Sequence, residues 1–256
     1  MADARVVVLR PDGSEIPGTR PLAIEAPVAI EYNGIGYAVM MATPVDLHDF
    51  AVGFSLSEQL IRTSGDILEI ETLQAPHGWI VRIQLGSDHI APVIERARQR
   101  VTESSCGLCG LENLEQVVRP LLPITARSTA TNAALFAVLD NLDGRQPLNA
   151  QTGAAHGAAF CLNDGTVHIV REDVGRHNAL DKLIGALAVA GVDPASGFFL
   201  LTSRCSYELV EKTIVAGCPL LVTISAPTTF AVERASAHGL KLVSLARRDA
   251  MLQMTD

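Results

Sequence analysis

Phe198-Phe199-Leu200-Leu201-Thr202, a helical stretch over 207–216, Leu220-Leu221-Val222-Thr223-Ile224, a second helical stretch over 229–238 and an apolar run over 240–245 together decide the fold. The short apolar runs are bounded by turn residues, as buried strands are, and Gly217 ends the first helix in the manner of a left-handed cap. Strand, helix, strand, helix and strand in close succession predict a parallel sheet with right-handed crossovers. Upstream, residues 166–170 alternate like a strand. Residues 178–190 then place apolar side chains at 179, 180, 183, 184 and 187, a helical stripe closed by Gly191.

The amino-terminal half reads as β-rich. Arg5-Val6-Val7-Val8-Leu9 is a strand, and the runs 28–32 and 37–41 flank Asn33-Gly34, a type I′ hairpin signal. After Thr43-Pro44, Asp46 is placed to cap a helix reaching about residue 60, and 67–73 and 79–85 are further strands. The segment 92–101, with Arg96, Arg98 and Arg100, fits helix or extended chain. The expected architecture is α/β, with a smaller β-rich portion over 1–125 and an α/β portion over 126–256. The candidate boundary is 120–130, where Pro120, Pro123 and a Ser/Thr/Ala stretch interrupt the periodicity, and one continuous domain is the alternative.

A net charge of -8 argues against a non-specific nucleic-acid binder, which normally carries a basic face. No charged-then-apolar leader opens the chain, and no apolar run is long enough to span a bilayer. A cytoplasmic protein without a membrane partner is expected. The five cysteines lack the even spacing of a disulfide framework, so reduced thiols are the expected state.

Two of those thiols stand in Ser104-Ser105-Cys106-Gly107-Leu108-Cys109-Gly110. A C-x-x-C pair flanked by glycines admits dithiol–disulfide exchange, metal ligation, or carriage of sulfur as a persulfide. A structural zinc site needs four ligands, and no second pair of matching spacing exists. A zinc deaminase would need His-x-Glu, whereas His156 is followed by Gly157 and Ala158. Thioredoxin-like exchange is the stronger rival, although Gly-Leu between the thiols is not its usual filling. Cys161, Cys205 and Cys218 read as small core residues, with Cys205, beside Arg204, retained as a candidate reactive thiol.

In an open α/β sheet, ligands sit beyond the carboxyl ends of the strands. Those ends carry Thr202-Ser203-Arg204, Ser225-Ala226-Pro227-Thr228-Thr229 and Arg247-Arg248, a crevice suited to a phosphate or diphosphate. The plainer alternative is that Ser206 and Thr228 only cap helices. Glu172-Asp173-Val174-Gly175-Arg176-His177-Asn178-Ala179-Leu180-Asp181-Lys182 is the densest polar run and falls at a strand-to-helix junction. As a whole it reads as a site, with Asp173, Arg176, His177 and Asn178 lining it. Lys182 taken alone reads as part of a solvated helix face, together with Asp181.

Cys106-Gly107-Leu108-Cys109-Gly110 and the 172–182 run together resemble the FdhD family of sulfur-carrier accessory proteins for formate dehydrogenase. Thr43-Pro44-x-Asp46, Asp49-Phe50-Ala51-x-Gly53-Phe54, Thr152-Gly153-x-x-His156, Ser203-Arg204-x-Ser206-x-Glu208 and Ser225-Ala226-Pro227-Thr228 extend the likeness along most of the chain. The resemblance implies a cytidine-deaminase-like α/β core. It implies a cysteine desulfurase that loads the C-x-x-C cysteines with persulfide sulfur. The molybdenum cofactor, bis-molybdopterin guanine dinucleotide, would be the cargo, with apo formate dehydrogenase as recipient and a guanine nucleotide such as GDP as a binding analogue. A second copy of the chain is a further candidate partner. On this basis Cys106 is the expected carrier, Cys109 its exchange partner and His177 the group assisting transfer. Ser203, Arg204, Ser225, Thr228, Leu245, Ala246, Arg247, Arg248, Asp249 and Ala250 are the expected cofactor contacts. At Ser244-Leu245-Ala246-Arg247 the family's Gly-Phe-x-Arg pattern keeps only its arginine.

Overall fold

A computed structural model describes residues 1–100 and 120–255. Cys106 and Cys109 lie outside the described residues, and so does the expectation of an exposed reactive loop around them.

The chain opens with β1 (Ala2–Leu9) and β2 (Glu15–Leu22), an antiparallel two-stranded arm. Next come β3 (Ala26–Tyr32) and β4 (Ile35–Ala42), joined through Asn33 (φ 48°) and Gly34 (φ 80°), the paired left-handed residues that a type I′ turn demands. With β5 (Ile67–Ala75) and β6 (Gly78–Leu85) they form a sheet of order β4-β3-β6-β5. Between them runs α1 (Leu47–Ser57), which is shorter than expected. Asp46 occupies its N-cap position in left-handed conformation (φ 52°) without a side-chain cap; its carboxylate lies 3.7 Å from Arg171 instead. Residues Ile90–Arg100, ambiguous in sequence, form α2.

The second sheet has the order β12-β11-β10-β9-β7-β8, from β7 (His156–Leu162), β8 (Val167–Asp173), β9 (Gly197–Leu201), β10 (Leu220–Thr223), β11 (Lys241–Ser244) and β12 (Leu252–Gln253). The expected parallel unit is present in β9, β10 and β11. The sheet as a whole is mixed, because β7 runs antiparallel to both β8 and β9, and β12 antiparallel to β11. Strand alternation divides its two faces. Ala158, Phe160, Phe199, Leu201, Leu221 and Leu242 pack against α5 (Arg176–Ala190), α6 (Tyr207–Val215) and α7 (Thr229–Ala237). Ala159, Cys161, Phe198, Leu200, Leu220, Val222 and Val243 pack on the other face with α3 (Asn132–Leu142). A short α4 (Pro147–Thr152) precedes β7.

The two sheets meet through α1 and α5. A Cβ on Gly53 would lie 1.7 Å from the Asp181 carbonyl oxygen, and one on Gly185 would lie 1.9 Å from that of Asp49. Only glycine permits backbones this close. This contact holds the end of β4 beside the start of α5, where the polar run begins.

Candidate functional site at the carboxyl edge of the large sheet

Strand direction gathers the site. Because β7 is antiparallel to β9, its first residue, His156, stands at the edge where β9 ends. Gly157 N donates to Thr202 Oγ1 (2.8 Å), and Thr202 N donates to the Gly157 carbonyl (3.0 Å). On its other side β7 pairs His156 with Asp173, the last residue of β8. Beyond β9, Cys205 N donates to the Ala226 carbonyl (3.2 Å) and Thr228 N to that of Cys205 (3.0 Å). Leu245 N reaches the Ser225 carbonyl at 3.4 Å. The segments 203–206, 225–228 and 245–250 are therefore neighbours, as expected, and the 173–177 turn lies along the same edge.

The polar run divides into a buried frame and a partly exposed centre. Asp173 is fully buried and takes hydrogen bonds from Thr43 N (2.9 Å), Gly175 N (2.7 Å) and Asn178 Nδ2 (3.0 Å), with Lys182 Nζ at 2.7 Å. Lys182 also donates to the Thr43 carbonyl (2.9 Å), and Asn178 to that of Met41 (2.8 Å). Glu172 accepts from the backbone N–H groups of Leu148 (2.9 Å) and Asn149 (2.8 Å), at the start of α4. Asp181 is held by Lys212, at 2.7 and 2.8 Å to its two oxygens. The expected solvated face for Asp181 and Lys182 is therefore corrected: both are buried, because α1 packs across that side of α5. Asp173 and Asn178 are likewise frame rather than lining. Thr43, from the other sheet, completes the frame, and only its position in Thr43-Pro44 signalled it.

Arg176 and His177 begin α5 and remain half-buried. His177 Nε2 sits 3.5 Å from Glu208 Oε2, in the first turn of α6. Burial lowers the pKa of His156 below the ordinary imidazole value. The positive charges of Arg176 and Arg204 lower it further, and Asp173 opposes them. A histidine that feels both guanidinium charges marks a cationic edge on a chain of net charge -8. Burial disfavours the charge on Glu208, but His177 and Ser206 outweigh it and take the carboxyl down to about 2. In the sequence Glu208 stands out only inside a family motif, and His156 only there and as the histidine that fails the zinc-deaminase pattern; strand reversal at β7 and the α5–α6 contact give them their place.

The remaining candidates separate. Arg204 is exposed, whereas Ser203 is buried and its hydroxyl donates to the Arg204 carbonyl (3.1 Å). Thr228 is a true cap, accepting from Ala231 N at 3.3 Å. Arg247 is exposed, but its Nη1 turns back onto the carbonyls of Ile224 and Ala246. Arg248 pairs with Asp140 of α3 (3.2 Å), on the far face of the sheet. Leu245 takes a left-handed conformation (φ 52°), Ala246 is buried, and Asp249 and Ala250 are exposed in a turn closed by Arg247 N on the Ala250 carbonyl (2.9 Å). Cys205 is buried, and burial pushes its thiol up to about 12, so it is not a thiolate at neutral pH. Cys218, also buried, is raised to about 12 as well. Among the described residues, no group of three or more His, Cys, Asp or Glu could hold a metal ion, and no helix is long and apolar enough to cross a membrane.

Known proteins resemble the chain over nearly its whole length. It is 46% identical over 229 residues to the sulfur carrier protein FdhD of Cupriavidus necator, covering 90% of this chain and 80% of that protein. It is 41% identical to the protein of the same name from Variovorax paradoxus, covering 97% and 94%. The fold matches a crystal structure from Desulfotalea psychrophila, provisionally assigned as a formate dehydrogenase accessory protein. The TM-score is 0.75 at 24% identity, covering 98% and 95% of the two chains. The FdhD/NarQ family profile matches residues 23–255, and the chain belongs to that family.

Proposed function

We propose that this chain is a cytoplasmic sulfur carrier serving formate dehydrogenase. A cysteine desulfurase delivers sulfur to the Cys106/Cys109 pair as a persulfide, and the sulfur passes to bis-molybdopterin guanine dinucleotide before that cofactor enters the apo-enzyme. The relatives' shared name, sulfur carrier protein, is the observation that carries this reading. The cationic edge of Arg176 and Arg204 supports it, since guanidinium groups pair with phosphate oxygens in fixed geometry.

Loading is an exchange. A cysteine thiolate attacks the outer sulfur of the desulfurase persulfide, a new S–S bond forms, and the desulfurase cysteine leaves as thiolate. Delivery as sulfide requires two electrons, which the second cysteine supplies. Its thiolate attacks the inner sulfur of the persulfide, a Cys106–Cys109 disulfide forms, and hydrosulfide departs to the cargo. A cellular dithiol then restores the pair.

The test is intact-protein mass after incubation with a cysteine desulfurase and cysteine. Cys106→Ala is expected to lose the adduct of one sulfur atom and to leave formate dehydrogenase inactive. A full adduct in that variant would move the carrier role to Cys109. No adduct on the unaltered protein would favour a binding-only chaperone for the cofactor, a reading to which the cationic edge alone would suffice.

A further inference from the structure

The arm of β1 and β2 precedes the stretch that the family profile matches, which begins at residue 23. Its turn is closed by Gly13 N on the Arg10 carbonyl (3.0 Å) and by Arg10 N on the Ser14 carbonyl (3.1 Å). Bonded and non-bonded pairs alternate along an antiparallel ladder. The pairs Val8–Ile16, Val6–Gly18, Ala4–Arg20 and Ala2–Leu22 therefore bond across the arm as Arg10–Ser14 does, and the odd-numbered residues turn their backbone groups outward. On β2 two of these, Pro17 and Pro21, have no N–H to offer, which blocks that edge to a further strand. On β1 all four, Asp3, Arg5, Val7 and Leu9, keep both N–H and C=O. Among the described residues no third strand or loop pairs with them, and their side chains are exposed. Asp3 and Arg5 also have no ion-pair partner among the described residues. The arm is thus open along one edge, and a lone two-stranded ribbon is only marginally stable.

We propose that the open edge of β1 pairs antiparallel with β1 of a second copy of this chain, across a two-fold axis at Ala4. The product is a four-stranded sheet of order β2-β1-β1-β2, in which the same edge serves both copies. The outward backbone groups permit two-fold registers centred on Ala4, Arg5, Val6 or Val7, and charge selects among them. Centring on Arg5 sets that guanidinium against its own copy, and like charges directly opposite are unfavourable. Centring on Val6 or Val7 sets Arg5 against Val7 or Leu9 and leaves its charge without a counterion. Centring on Ala4 sets Asp3 against Arg5 and Arg5 against Asp3, so both charges gain the partner they lack. On the opposite face the same register brings Ala4 to Ala4 and Ala2 to Val6, side chains small enough to meet without a clash.

The experiment is analytical ultracentrifugation of the full chain, with an oxidative cross-link to fix the register. The unaltered protein is expected to dimerise as its concentration rises. Arg5→Asp sets acid against acid twice and is expected to raise the dissociation constant about tenfold or more. Asp3→Arg combined with Arg5→Asp restores opposite charges at both pairs and is expected to restore the dimer, which damage to the arm alone would not allow. For the register, Ala4→Cys is made in a chain that also carries Cys106→Ala and Cys109→Ala, so that the other cysteines are buried. The two Ala4 positions form a non-hydrogen-bonded pair with Cα atoms about 4.5 Å apart, within reach of a disulfide, so mild oxidation is expected to give a covalent dimer. Val6→Cys in the same background lies too far from its copy and is expected to give none. A chain that stays monomeric up to about 100 μM overturns the proposal, since that is weaker than any micromolar contact. So does a dimer that Arg5→Asp leaves unchanged, a double variant that fails to recover it, or a cross-link at Val6→Cys in place of Ala4→Cys. None of these outcomes bears on the sulfur-carrier reading.

Discussion

Asp173, Asn178 and Lys182 come from the same short run as Arg176 and His177, yet the two sets live in opposite environments. The first set is buried and mutually bonded, and it reaches across to Thr43 of the other sheet. The second set is half-exposed, one turn away, beside Arg204 and His156. A buried charge is tolerable only when paired, so the frame has spent its polar groups on itself. The edge keeps part of its guanidinium and imidazole surface open, as the proposed nucleotide binding requires. Polar density alone therefore does not mark a site; the site is the part of the polar run that the fold leaves uncovered.

The strongest way to break this contrast is to remove a partner from the frame. Lys182→Ala leaves Asp173 buried without its ion pair and is expected to destabilise the chain by about 3–5 kcal/mol, read by denaturant unfolding. A loss below about 1 kcal/mol would mean that water reaches Asp173 and that the frame is not closed.

Gly185→Ala attacks the packing that buries the frame. The new methyl would meet the Asp49 carbonyl, so α1 and α5 must separate, at a cost of about 1–3 kcal/mol. Lys182 should then become more exposed to exchange with solvent. A neutral substitution would show that the helices can slide apart without disturbing the polar groups.

On the edge the expectation reverses. Arg204→Ala should leave unfolding within about 0.5 kcal/mol of the unaltered protein, since Arg204 is exposed. It should weaken binding of GDP, used as a calorimetric probe, by about 1.5–3 kcal/mol if the guanidinium contacts phosphate. Arg247→Ala is expected to cost less, because part of its guanidinium already serves the carbonyls of Ile224 and Ala246. Equal affinity for both variants and the unaltered protein would remove the edge as the nucleotide site.

The readable part of the sequence was local. The β9–α6–β10–α7–β11 unit, the Asn33-Gly34 hairpin and the helix after the polar run follow from periodicity and turn residues. These signals act within a few positions. Long-range facts were not readable in the same way. That β7 runs antiparallel to β9, bringing His156 to Arg204, depends on pairing across some 40 residues and leaves no periodic trace. The burial of Lys182 departs from the expected solvated face for a related reason: its helix has two covered sides, and the second cover comes from α1, a segment more than a hundred residues earlier. Gly53 and Gly185 are the residues that could have announced that contact, since a glycine inside each of two helices invites a close crossing.

The smallest expected effect tests where Glu208 belongs, because it sits between frame and edge. Its carboxyl lies at about 2 in the folded chain against an ordinary 4.5; burial opposes the charge, and His177 and Ser206 more than compensate. A depressed carboxylate pKa gives stability that is fully present above pH 4.5 and is lost as pH falls through 2, because the unfolded chain takes up the proton first. The pair is partly exposed, with side-chain exposures of 31% for His177 and 27% for Glu208, so solvent screening reduces the contribution to about 1 kcal/mol. Acid unfolding of the unaltered chain and of Glu208→Gln should therefore differ by about that amount near pH 5, and the two curves should converge towards pH 2. Parallel curves across this window would mean that Glu208 carries no special partner. It would then be an ordinary first-turn acid of α6, belonging to neither frame nor edge.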